Sequence, residues 1–93
     1  MSIQTIVSRL SKKVGTYEVV KSIITSNSRS KDKDILKGIY INDDGVMEIQ
    51  GENGMELELK IDKNLVCVDK NNYIKVYHRN IVVLIRPLNM KNI

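Results

Sequence analysis

The chain has no tryptophan and no phenylalanine, and it has one cysteine, one histidine and one proline. Without the large aromatics its core must be aliphatic, and Tyr17, Tyr40, Tyr73 and Tyr77 are the only aromatic mass. A single thiol, Cys67, excludes an intrachain disulfide framework. In LVCV it reads as a small buried hydrophobe rather than a reactive nucleophile. With His78 as the only imidazole, no zinc-ligand spacing exists, and no cofactor is expected. No apolar run approaches the ~20 residues of a membrane span, and no signal-peptide core follows Met1. These absences predict a soluble, cytoplasmic protein with no membrane partner.

The 93 residues make one domain, with β structure over most of it. Between Ile35 and Arg86 the chain runs through ILKGIYI, VMEIQ, MELELKI, LVCV with YIKVY, and IVVLIR. Turn signals separate them: Asn42–Gly45, Gly51–Gly54, Asp62–Asn64, Asp69–Asn72 and His78–Asn80. Met55, Leu57, Leu59 and Ile61 alternate with Glu56, Glu58 and Lys60, the period of a strand with one dry and one wet face. The pattern predicts strands near 35–41, 46–50, 55–61, 65–68, 73–77 and 81–86. The predicted fold is mainly β, a small antiparallel sandwich or barrel of five to six strands behind a short N-terminal helix. Its expected core is Ile6, Leu10, Leu36, Ile39, Ile41, Leu57, Leu59, Val66, Val68, Val76, Val83 and Ile85.

Ile3, Ile6, Val7 and Leu10 stand at helical spacing behind Ser2, a natural N-cap, so residues 3–13 read as a short amphipathic helix. Residues 14–87 then form the barrel. Within them, 14–25 is ambiguous. Its β-branched content favours a strand, whereas Val19-Val20 against Ile23-Ile24 allows a helix. A helix there would give a winged-helix α+β layout and favour DNA. The polar run SNSRSKDKD, 26–34, reads as an exposed loop, and 88–93 as a tail behind Pro87.

The net charge of +4 is partitioned. Residues 1–40 carry eight Lys/Arg against three acids, 41–69 carry two against eight, and 70–93 carry five against none. Basic ends suit nucleic acid, and a basic segment beside an acidic one also suits self-association.

No catalytic constellation stands out. His78 has no nucleophile at a motif spacing, Asp43-Asp44-Gly45 is turn chemistry, and Glu56/Glu58 line the wet face of a strand. The reading is therefore non-enzymatic, with no metal site.

Two stretches resemble the Sm/Lsm family of RNA-binding rings. In LKGIYINDDGVME, Gly38, Asp44 and Met47 hold the glycine, aspartate and methionine places of the family's first motif, with Glu48 where the family has asparagine. In YHRNIVVLI, His78 and Arg79 stand at the second motif's Arg-Gly places, followed by Asn80 and an apolar strand. The GIYINDDGVMEI stretch is also similar to PRC-barrel adaptors. The Sm resemblance implies a small SH3/Sm-like antiparallel barrel and single-stranded RNA bound by a homo-oligomer, with Asp44, Met47, Glu48, His78, Arg79 and Asn80 around a pore. Tyr40 or Tyr77 would stack on bases. Lys12, Lys13, Arg29, Lys31 and Lys33 add basic contacts, though Asp32 and Asp34 counter the last three. The other reading is a protein–protein adaptor built on the same small barrel.

Overall fold

The structure, a computed structural model, describes residues 2–70 and 72–88. It opens with helix α1 (Ile3–Leu10), continued by one 3-10 turn (Ser11–Lys13). Ser2 caps the helix by accepting the Thr5 N–H at 3.1 Å. Seven strands follow: β1 (Tyr17–Ile24), β2 (Arg29–Ile41), β3 (Val46–Gly51), β4 (Glu56–Lys60), β5 (Leu65–Asp69), β6 (Ile74–His78) and β7 (Ile81–Pro87). They form one antiparallel sheet in the order β4-β3-β2-β1-β7-β6-β5. Among the described residues α1 is the only α-helix, and 14–25 holds a strand, so the winged-helix layout is overturned.

Seven strands replace the expected five to six. The largest departure is the polar run expected as a loop. Residues 29–34 extend β2 and pair with β1 from Ile24↔Arg29 through Val19↔Asp34. Pairing with β1 supplies the ladder hydrogen bonds along one side of this segment, so the strand forms without apolar side chains. Only the turn around Thr25–Ser28 remains, closed by a 2.9 Å backbone bond between those two residues. Of the expected tail, Leu88 donates to Thr16 O at 3.0 Å, and 89–93 lie outside the described residues.

β2 holds the sheet together. Its first half pairs with β1 and its second with β3, and the register shifts at a bulge between Leu36 and Gly38. The sheet therefore folds over itself. Val19, Val83 and Ile85 from one half meet Leu36, Met47, Ile49 and Leu59 from the other in a single core. Ile6, Val7 and Leu10 of α1 join the same cluster.

Of the expected core, Ile6, Leu10, Leu36, Ile39, Leu57, Leu59, Val76, Val83 and Ile85 are buried, and Ile41 packs against them. Val66 and Val68 are corrections. In β5 it is Leu65 and Cys67 that face the core, leaving Val66 52% exposed and Val68 on the same outer side. Both parities of LVCV are apolar, so hydropathy alone does not choose between them.

Candidate nucleic-acid interface

Alternation along β2 sorts its charges. Leu36 and Asp34 are buried on the inner side, so Asp32 also points inward, where it pairs with Lys21 at 3.8 Å. Arg29, Lys31 and Lys33 fall on the outer side, at intervals of about 7 Å along the strand. The two signs therefore lie on opposite faces of the strand, with the Asp34 carboxylate buried and the Asp32 carboxylate still open to solvent.

The outer side continues across four more strands by register. Lys31 stands opposite Ser22, then Val82, Tyr77 and Val66. Lys33 stands opposite Val20, then Leu84, Lys75 and Val68. The result is an apolar band with Tyr77, 37% exposed, about 14 Å from Lys31 across three strand spacings. Cations flank that band. The acid on this face, Glu18, is bound to Arg86. Lys75 and Tyr77 complete a surface whose pattern was already present in SRSKDKD, with cations at odd positions and acids at even ones.

The outer side of the other half is acidic. Glu48 pairs across to Glu58, and Gln50 to Glu56. Glu48 accepts from Asn42 Nδ2 at 2.7 Å and Tyr40 Oη at 2.8 Å, and these bonds hold its carboxyl below the ordinary range. The same bond, with Glu56 and Glu58 nearby, raises the Tyr40 phenol. Tyr40 thus belongs to the acidic face and is not a stacking platform for a polyanion. Met47, 1% exposed, is core and cannot line a pore. Glu48 is committed to Tyr40 and Asn42.

The β4–β5 link touches each of the two expected loops. Ile61 donates to Gly45 O at 2.9 Å, and the next residue, Asp62, lies 3.3 Å from His78 Nε2. The β4–β5 link thereby ties the Asp43–Gly45 turn, with exposed Asp44, to the His78–Asn80 turn. Asn64 N–H bonding, opposed by burial and aided by His78 and Arg79, holds the Asp62 carboxyl below its usual range. Arg79 consequently has a carboxylate in its field, contrary to an acid-free setting. It is the only described non-glycine residue with positive φ, at 55°. Asn80 O accepts from Ile24 N–H at 2.9 Å, which places this turn beside Ile24 and its partner Arg29. Arg79 and Asn80 therefore border the basic outer face at the Arg29 end.

Lys12 and Lys13 lie at the opposite end, where Lys13 O accepts from Thr16 N–H at 3.1 Å. Lys13 lines a cleft of about 350 Å³ with Arg9, Tyr17, Asp69, Lys70 and Tyr73. Arg9 there is bound to Asp69 at 2.7 Å. The sequence-predicted basic residues thus divide into two groups.

No cluster of His, Cys, Asp or Glu suited to a metal ion occurs among the described residues, and no described helix is long and apolar enough to cross a membrane. Comparison of the chain with family models, curated proteins and solved structures finds no significant match.

Proposed function

We propose that the protein binds single-stranded RNA, without catalysis, on the outer face of β2-β1-β7-β6-β5. The observation that carries this is the sorting within β2: Arg29, Lys31 and Lys33 face out while Asp32 and Asp34 face in. Lys75 adds a fourth cation, and Tyr77 offers a ring within an apolar band. Single strands suit such a face, because unstacked bases lie on aromatic and apolar side chains while cations track the phosphates. Among the described residues the one α-helix, α1, is eight residues long and packs Ile6, Val7 and Leu10 on the core.

An Sm-like relation remains part of this reading. It is supported by the long β2 broken at Gly38, by the His78–Asn80 turn leading into a strand beside β1, and by the β4–β5 link that touches both motif turns. The cations of β2 lie within one chain, so this reading requires no ring.

The test is a titration of fluorescent single-stranded RNA at two salt concentrations. Wild type should bind with a steep salt dependence. Lys31→Glu with Lys33→Glu should weaken binding and reduce the salt slope by about 0.7 per cation removed. Tyr77→Ala should weaken binding with little change in slope. Salt-insensitive binding, or a double variant that binds like wild type, would overturn the assignment.

A further inference from the structure

The sheet ends in two outermost strands among the described residues, β4 and β5, and their edges differ in kind. β4 pairs only with β3, and β5 only with β6. The β4 edge, ELELK, carries Glu56, Glu58 and Lys60 on its outer side. Charges at an edge deter strand addition. The β5 edge has no such protection. Leu65–Val68 carries no charge and no proline, and Asp69 at its end is bound by Arg9 at 2.7 Å. Val66 is the most exposed large hydrophobe described, at 52%. A row of unpaired N–H and C=O groups beside bare valines is a template for another strand.

We propose that β5 pairs with β5 of a second copy, antiparallel about a two-fold axis, so that two sheets become one. The chemistry of the strand is symmetric about Cys67. An antiparallel pairing centred there matches Val66 with Val68 of the other copy on the outer side and keeps both thiols inside. No like charges meet in this arrangement. Pairing β4 with β4 about its own centre would instead set Glu58 of one copy directly against Glu58 of the other. The joint also sets the two apolar bands flush, with Tyr77 one strand in from the axis on each side. This inference does not depend on RNA binding, since it uses only the edge and its valines.

The experiment is native mass spectrometry with analytical ultracentrifugation across a dilution series of the full chain. Wild type should reach twice the 10.6 kDa of one chain and no further. Val66→Lys and, separately, Val68→Lys restore an edge charge and should give monomers with unchanged cooperative unfolding. Glu58→Lys, on the other edge, should leave the dimer intact. A wild type that is monomeric at every concentration overturns the proposal, as does a dimer that survives both lysine variants. Assemblies larger than two, lost in Glu58→Lys, would overturn it in favour of β4-to-β5 joining.

Discussion

The Asp34 carboxylate occupies the space that a side chain on Gly51 would need. A methyl group there would lie 2.2 Å from Asp34 Oδ2 and 2.7 Å from its Cβ. Asp34 cannot easily withdraw, because it accepts from the backbone N–H groups of Ile35, Asn53 and Met55 and from Asn53 Nδ2, at 2.7 to 3.1 Å. The glycine and the carboxylate together fix the β3–β4 turn onto β2.

Gly51→Ala should therefore destabilise the fold by about 1–3 kcal/mol, the usual cost of overpacking. Urea denaturation reads this directly. An unchanged midpoint would mean that the turn relaxes without cost.

Acid should act through the same carboxylate. Burial opposes its charge, but hydrogen bonds from Met55, Ile35 and Asn53 outweigh it and hold Asp34 below its ordinary range. A depressed folded pKa gives stability that is present above the unfolded value, about 3.9, and lost as pH falls through the folded one. Asp34→Asn should be less stable than wild type at neutral pH, and the gap should narrow below about pH 4. Unfolding midpoints measured from pH 7 to pH 3 test this, and a constant gap would refute the linkage.

Val83 is 0% exposed at the centre of β7, between Val76 and Lys21. Val83→Asp puts a carboxylate into the aliphatic core, where Lys21 across the ladder offsets only part of the desolvation, and should cost more than about 4 kcal/mol, enough to unfold a small domain. A cooperative thermal transition near the wild-type temperature would show that the strand can shift.

At Arg79 the left-handed backbone, φ 55°, suits glycine better than arginine. Arg79→Gly should keep the fold, with a stability gain of up to about 1 kcal/mol. It should also lower the salt slope of RNA binding by about 0.7, the share of one cation. Thermal unfolding and RNA titration of the same preparation separate the two effects.

Cys67 faces inward and is half-buried, and burial raises its thiol pKa. It should react with a disulfide-exchange reagent far more slowly in native buffer than in denaturant. Equal rates would place the thiol in solvent.

Much of the fold was legible in the sequence where one strand face is dry and the other wet. Leu57 and Leu59 alternate with glutamates, and both are buried as the pattern required. The pattern failed where both parities agree. LVCV is apolar throughout, so Val66 was placed inside. SRSKDKD is polar throughout, so its pattern reads as loop although residues 29–34 are six steps of the ladder with β1. In each case the decision rests with a partner strand distant in sequence. The candidate site was half visible for the same reason. The cations were identified, but the face they share depends on where Asp34 anchors. Met47 and Glu48 were assigned by motif position, whereas packing put one in the core and bound the other to Tyr40 and Asn42.

The sorting of charge in β2 has an evolutionary corollary. Between Ser30 and Asp34 cation and non-cation alternate residue by residue, so the sign shown to solvent depends on parity and not on composition. One residue inserted between Lys33 and Asp34, with the Asp34 anchor kept, would turn Arg29, Lys31 and Lys33 inward and Asp32 outward. Amino-acid content and isoelectric point would barely change, yet the electric field above the sheet would reverse. Point substitutions from Arg29 to Lys33 should be tolerated one at a time, while single-residue insertions and deletions ahead of Asp34 should be purged.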